Sequence, residues 1–176
     1  MACTQTLSGI LLDCGSSVGG IKEVYITRYE DIIGQPTVEE GEITNITLAD
    51  GAKFKRYQFR KQTGSFTSNL VVDEPAGINY VESKINLVFT KMETKKRVEM
   101  AALSVGQLAV VVKDGNNKYW YFGYDDYVSA NGGTGTSGQS KGDSNSYNLE
   151  LKDESDSYPY QIADTFVTEW LTNAVE

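Results

Sequence analysis

The chain has 176 residues and a net charge of −8, a length that suits one domain with a sizeable core. It contains no histidine, which excludes Ser-His-Asp and Cys-His nucleophiles and most zinc or non-haem iron sites. No spacing singles out a pair among its 24 acids for glycosidase chemistry, so we expect a protein without catalytic residues, metal or cofactor. The acidity argues against tight nucleic-acid binding, and no run of about 18 apolar residues predicts a membrane span.

Residues 1–20 are small, polar and glycine-containing, and they lack the basic start and long apolar run of a secretory signal. This segment is predicted to be an N-terminal arm that becomes ordered only by docking on something. It holds both cysteines, Cys3 and Cys14. We expect two buried or idle thiols, and a disulfide closing this short segment remains the alternative.

Many tyrosines, few prolines and repeated short apolar runs favour a mostly β protein. Residues 21–28 (IKEVYITR) read as the first strand, 42–48 as the second and 53–61 as the third. Residues 29–41, with Gly34 and Pro36, form a predicted loop. Asp50–Gly51 is predicted to make a hairpin turn between the second and third strands.

Residues 62–77 are rich in Gly and Ser and contain one Pro, and they predict a long loop. Long loops with apolar residues are uncommon and often functional. The apolar middle of this loop either tucks against the sheet or meets another subunit. On the second interpretation its candidate inter-subunit contacts are Phe66, Leu70, Val71 and Val72.

Residues 78–91 are the longest predicted strand. Alternate positions divide its side chains between two faces. One face carries Val81, Ser83, Ile85, Leu87 and Phe89, and the other carries Tyr80, Glu82, Lys84 and Asn86.

A helix is predicted near residues 94–105, covering one end or face of the sheet. Its apolar side chains Val98, Ala101, Ala102 and Val105 recur at helical spacing. Thr94 is a plausible N-cap and Gly106 a plausible stop. A stripe of this kind predicts burial in the core.

Two apolar runs, 108–112 and 119–122, are split by DGNN at 114–117, which predicts a hairpin whose Asp-Gly supplies a positive φ. A glycine-rich loop is predicted over 129–142. A half-buried strand follows, because Tyr147, Leu149 and Leu151 alternate with polar residues.

The glycine-rich loop lacks the Gly-Lys-Ser/Thr sequence opening a helix that a phosphate-binding loop requires. It is therefore either a flexible surface loop or a loop that orders on contact with a neighbouring copy. For the second alternative the candidate contacts are Gly133 and Thr134.

The aromatic run 119–122, with Tyr124 and Tyr127, could stack on sugars. Only alternate residues of a strand share a face, and one such pair is expected in the core.

Residues 153–157 predict an acidic turn, and Tyr158-Pro159-Tyr160 is expected to be extended. Apolar residues in 163–176 recur at helical spacing, with Asp164 as a possible cap, but a strand is the open alternative. The predicted organisation is an arm (1–20), a β-sandwich or barrel domain (21–162) and a C-terminal tail (163–176).

Charge is unevenly distributed. Residues 53–97 hold ten bases and four acids, whereas residues 1–52 hold eight acids and two bases. Residues 143–176 hold eight acids and one base. This is either chance variation or a sign that acidic and basic surfaces of neighbouring copies meet.

The hairpin DGN.KYW.FG, the glycine-rich loop, the strand GD.N.Y.L.L and the closing acidic stretch with Pro-Tyr form a familiar order over residues 78–162. The order resembles tail tube-like structural proteins of tailed bacteriophages that infect Bacteroidetes-type hosts. The resemblance implies a mainly β sandwich or barrel with one flanking helix and long loops.

The resemblance also implies a virion tail protein, made in the host's cytoplasm and partnered by itself and other tail proteins. Its copies would form stacked, hexameric rings whose acidic lumen lets DNA pass without specific binding. Glu82 and Glu150 are the candidate lumen acids. The alternatives are another phage structural protein (tail terminator, head–tail connector or capsid decoration) or a glycan-binding β-module.

Overall fold

The computed structural model describes residues 9–12 and 14–176, and in them it forms two β-sheets and two α-helices. The strands are β1 (Ile21–Arg28), β2 (Thr37–Glu39), β3 (Glu42–Asn45), β4 (Lys55–Gln58), β5 (Ser65–Asp73), β6 (Ile78–Thr90), β7 (Leu108–Asp114), β8 (Tyr119–Phe122), β9 (Ser129–Thr136), β10 (Ser146–Ser155) and β11 (Tyr160–Ile162). The helices are α1 (Thr94–Val105) and α2 (Asp164–Asn173). The predicted mainly β fold is confirmed.

A seven-stranded sheet has the order β2-β3-β11-β8-β7-β1-β4, and a four-stranded sheet has the order β5-β6-β10-β9. Strand β7 lies inside the large sheet and is buried on both faces. Its Val110 and Val112 face the small sheet, whereas Ala109 and Val111 face α2. Two apolar cores therefore lie on opposite sides of the large sheet.

The most regular apolar patterns are found where the sequence predicts them. Strand β1 has the predicted bounds, β6 ends one residue early at Thr90, and the hairpin β7–β8 forms around residues 114–117. In β6 the predicted apolar face is the buried one, with Ile85 and Leu87 inaccessible to solvent. Strand β10 pairs with β6 over ten residues.

The predicted loop at 62–77 is wrong, because β5 occupies most of it and pairs with β6 from Ser65↔Asn86 to Asp73↔Ile78. Its residues 67–69 are all polar and 70–72 are all apolar, so the sequence lacks the apolar–polar alternation that predicts a strand. The turn at its end is made by residues 74–77, where Gly77 has φ +65°.

The predicted glycine-rich loop at 129–142 is also wrong over its first half, which forms β9 against β10. Glycine is needed there for close approach. A Cβ at residue 133 would lie 2.8 Å from the backbone oxygen of Asn148, and one at residue 135 would lie 3.1 Å from the Tyr147 ring.

The hairpin predicted at Asp50–Gly51 does not form. The turn exists, but β3 pairs with β2 and β11 whereas β4 pairs with β1. The strands on either side of the turn therefore lie toward opposite edges of the large sheet, and both are shorter than predicted. Turn chemistry sets the local bend and leaves the pairing partner open.

Helix α1 has the predicted extent and ends at Gly106, but the face predicted to be buried is exposed. Val98 is 55% exposed and Val105 is 86% exposed, and Leu103 is the one fully buried residue of the helix. The N-cap is Glu93, not Thr94, and its side chain makes no capping hydrogen bond.

The C-terminal tail is helical. Asp164 is the first residue of α2 and follows the N-cap, Ala163, so the prediction that Asp164 is the cap is wrong. Trp170 packs into the core with Tyr25 and Phe54. The predicted acidic turn at 153–157 is wrong at its start, because β10 continues to Ser155.

Gly115 also differs from its predicted role. The positive φ in the β7–β8 turn is at Asn117, +65°. Gly115 is required by crowding instead, because a Cβ there would lie 2.5 Å from the backbone oxygen of Val18.

No helix in the described part of the chain has the length and apolar character needed to cross a membrane. Of the predicted arm, Ile10, Leu11 and Leu12 are almost fully exposed. Cys14 is also exposed, and Cys3 lies outside the described residues.

Candidate assembly surface

The small sheet has two open borders. Among the described residues, strand β5 pairs only with β6, and β9 pairs only with β10. These borders are nine and eight residues long. Each therefore presents a row of backbone N–H and C=O groups that another strand could pair with.

The β5 border is held in place by one face of the strand. Phe66 packs edge-on against Phe122 of the large sheet, with 5.4 Å between ring centroids. Two residues on, the hydroxyls of Ser68 and Ser83 are 2.7 Å apart. The predicted contact residue Phe66 therefore serves the protein's own core, which the sequence pattern did not reveal.

The far end of β5 extends past the core. Leu70 is 50% exposed and Val72 is 61% exposed, whereas Val71 on the opposite face is half-buried. Ile78, which pairs with Asp73 across the hairpin, is also exposed. Leu70 and Val72 therefore share one face of the hairpin end, whereas Val71 and Ile78 lie on the other.

Three of the eight residues of the β9 border are glycines, at 132, 133 and 135. Gly133 pairs with Leu149 on the core side, and Thr134 pairs with Asn148 on the solvent side. Both candidates are exposed. A glycine-rich border lets another backbone approach closely.

The solvent face of the small sheet carries charge on its two inner strands. Lys152 lies 3.1 Å from Glu82 and 2.8 Å from Glu154, and Lys84 lies 3.2 Å from Glu82. Each lysine on this face is therefore matched by a carboxylate. Glu150 accepts a hydrogen bond from the amide of Asn131.

The candidate acids Glu82 and Glu150 share this face. Hydrogen bonds from Lys152 and Lys84 lower the pKa of Glu82, so it is ionised at neutral pH. With Glu150 and Glu154 it gives the face three carboxylates to two ammonium groups. The outer strands add mainly Ser, Thr and Asn.

The aromatic run 119–122 does not form an exposed platform. Tyr119 and Tyr121 are buried in the core beneath α2, and Phe122 is buried between the sheets. The Trp120 indole N–H donates to Asp114. The run is therefore divided between the two cores and does not offer a row of exposed ring faces.

One carboxylate lies buried between the sheets. Asp153 accepts a hydrogen bond from the backbone N–H of Gly123 at 3.1 Å and another from Ser155 at 3.2 Å. Burial raises the pKa of Asp153 to about 6. The two hydrogen bonds lower this pKa, and the negative charges of Asp125 and Asp126 raise it further.

Within residues 9–12 and 14–176, no three His, Cys, Asp or Glu side chains are placed to hold a metal ion. Comparison of the chain with protein families, with curated proteins and with solved structures gives no match.

Proposed function

We propose that the chain is a virion structural protein, the major tail tube subunit, whose copies form stacked hexameric rings around a DNA-conducting channel. The observation that carries the proposal is the small sheet with open borders β5 and β9. Monomeric proteins protect such borders with charges, prolines or covering elements. Here one border is glycine-rich and the other is rich in Ser, Thr and Val.

The strand directions suit ring closure. Three antiparallel pairings separate β5 from β9, so these two strands run in opposite directions. If β9 of one copy paired with β5 of the next, the antiparallel pattern would continue with every copy the same way up. Head-to-tail contacts of this kind close into a ring when the rotation from one copy to the next divides a full turn evenly.

Ring size follows from strand number. Six copies of a four-stranded sheet make a barrel of 24 strands. At about 4.8 Å between strands and a tilt of about 40°, its backbone would be about 48 Å across. The seven-stranded sheet and its helix would then lie outside the barrel.

The chemistry of the small sheet suits a channel wall. Its solvent face would line the barrel, since the opposite face packs on the large sheet. The paired lysines offer phosphate little attraction, and the excess carboxylate repels it. DNA would therefore slide along such a wall without binding.

Negative-stain microscopy of concentrated, purified protein tests the proposal, with rings or tubes as the expected result. A proline scan over residues 67–70 tests the border itself. In an edge strand, alternate residues point their N–H groups toward the neighbouring strand, here β6. Proline at those positions removes a hydrogen bond to β6 and should unfold the protein, which circular dichroism would report. The intervening prolines should leave a folded monomer that cannot form rings.

Two results would overturn the proposal. One is wild-type protein that stays monomeric at every concentration tried. The other is normal rings from the folded proline variants, because those variants no longer offer an intact border.

A further inference from the structure

Helix α1 presents an apolar stripe to solvent. Val98, Ala101, Ala102 and Val105 lie on one face at the spacing i, i+3, i+4, i+7, and all four are exposed. The opposite face packs through Leu103 and the half-buried Met100. Residues 98, 101, 102 and 105 are called the α1 stripe below.

A second exposed apolar group lies at the β5–β6 turn. Leu70 and Val72 share one face of the hairpin and Ile78 lies on the other, and each is at least 44% exposed. The turn between them carries the exposed acids Asp73 and Glu74. Residues 70–78 are called the hairpin tip below.

The hairpin tip and the start of α1 lie at opposite ends of the small sheet. Strand β6 begins at the tip and runs for 13 residues, about 43 Å at 3.3 Å per residue. At its other end the Lys96 ammonium donates to the backbone oxygens of Thr90, at 2.6 Å, and Lys91, at 3.1 Å. This ties the first turns of α1 to the end of the strand.

The charges of the two surfaces are opposite. Lys95 and Arg97 lie on either side of the α1 stripe and are exposed. No described residue forms an ion pair with either side chain. The tip offers two carboxylates in return. Apolar groups ringed by complementary charge are the composition expected of a specific protein contact.

We propose that the hairpin tip of one copy docks on the α1 stripe of a second copy stacked end to end with it. This inference rests on the proposed function. It identifies the contact between stacked rings, called the joint below, which strand pairing within a ring does not provide. Leu70 and Val72 would cover Val98 and Val105. Asp73 and Glu74 would face Lys95 and Arg97.

Two charge variants test the joint. The tip variant is Asp73→Asn with Glu74→Lys, in which asparagine can keep the acceptor that bonds the Ala76 N–H. The helix variant is Lys95→Glu with Arg97→Glu, which adds acids near a helix N-terminus, where they are favourable. At the concentration at which the wild type forms tubes, each variant alone should form rings that do not stack, because like charges then face each other.

Mixing the two variants gives the sharper result. A basic tip then meets an acidic helix, and an acidic tip meets a basic helix, so tubes of alternating copies should form. The chain carrying all four substitutions should also form tubes alone. The concentration at which tubes appear should rise on the order of tenfold or more for either variant by itself.

The matched control is Glu39→Lys with Glu40→Lys, two exposed acids in the β2–β3 turn of the large sheet, which should leave tube length unchanged. A second route avoids charge: Val98→Ser with Val105→Ser should also give unstacked rings. Both side chains are exposed, so the fold should persist.

Normal tubes from the tip or helix variant alone would overturn the tip–α1 joint and leave the proposed function standing. Failure of the mixture and of the fourfold variant to recover tubes would also overturn the joint. Absence of rings from the wild-type chain would instead remove the proposed function.

Discussion

The two helices contact the rest of the protein to very different extents. Helix α2 places Trp170, which is 1% exposed, against three aromatic rings at centroid distances of 5.1 Å (Tyr25), 5.3 Å (Phe54) and 5.9 Å (Tyr119). Helix α1 buries only Leu103 and stands beside a groove of about 490 Å³ lined in part by Tyr57 and Phe89.

The sheets differ in the same way. The β4 edge of the large sheet is partly covered by the chain's own C-terminus, since the Phe54 N–H donates to Ala174 and the Glu176 N–H donates to Phe54. In the described part of the chain no strand pairs with the outer side of β5 or β9 in the small sheet, although α1 contacts β9. In the described residues the other edge of the large sheet, β2, also has no further partner strand, but it is only three residues long, whereas the edge strands of the small sheet run for nine and eight residues.

Trp170→Ala should have the largest effect on the isolated chain. It empties the centre of the core beneath α2 and should lower the free energy of unfolding by about 3–5 kcal/mol. Val105→Ala in α1 is the control and should change it by less than about 0.5 kcal/mol. Urea denaturation of the monomer measures both, and equal losses would contradict the contrast between the helices.

Asp153→Asn tests the core between the sheets. Because burial raises the pKa of Asp153 to about 6, the folded chain binds this proton more tightly than the unfolded chain. The wild-type free energy of unfolding should therefore fall as pH rises from about 4 to 6 and stay lowered above that, by at most about 3 kcal/mol.

The asparagine variant should lack this component and be more stable than the wild type at pH 8. Denaturation at pH 4, 6 and 8 measures the difference, and the exposed Asp50→Asn is the control. Parallel pH profiles for Asp153→Asn and the wild type would show that the site is well hydrated.

Gly133→Ala should have the smallest of these effects, confined to the β9 border. The added methyl would lie 2.8 Å from the Asn148 oxygen and should cost about 1–3 kcal/mol. Gly132→Ala has no atom within 4 Å of its Cβ and should cost less than about 0.5 kcal/mol. Similar losses for the two would mean that β9 is not held against β10.

The elements that could be predicted from sequence are those whose side chains pack in the protein's own core, because packing there requires apolar residues at regular positions. Strands β1 and β6 and the β7–β8 hairpin are apolar with a clear period, because one or two of their faces pack inside the chain. Strands β5 and β9 lack that signal. Their Ser, Thr, Asn and Gly residues read as loops, since an edge strand buries little.

A related reason explains why the face of α1 that was predicted to be buried is exposed. Val98 and Val105 satisfy the helical period, but periodicity shows only that a face is apolar and not what covers it. The candidate acids Glu82 and Glu150 could be placed on the solvent face, because strand alternation fixes that choice. The pairing of β4 with β1 could not be predicted, since it joins residues 29–35 positions apart.

The even number of strands in the small sheet has a further consequence. Because its two borders run in opposite directions, copies joined as proposed would all keep one orientation, whereas an odd number of strands would force neighbouring copies to alternate. A tube built this way would have two different ends. One end would expose the acidic β5–β6 turns, and the other would expose the basic first turns of α1. Because the two ends of the tube would differ in charge, a protein that caps the tube, a protein that initiates it or an incoming copy could distinguish them.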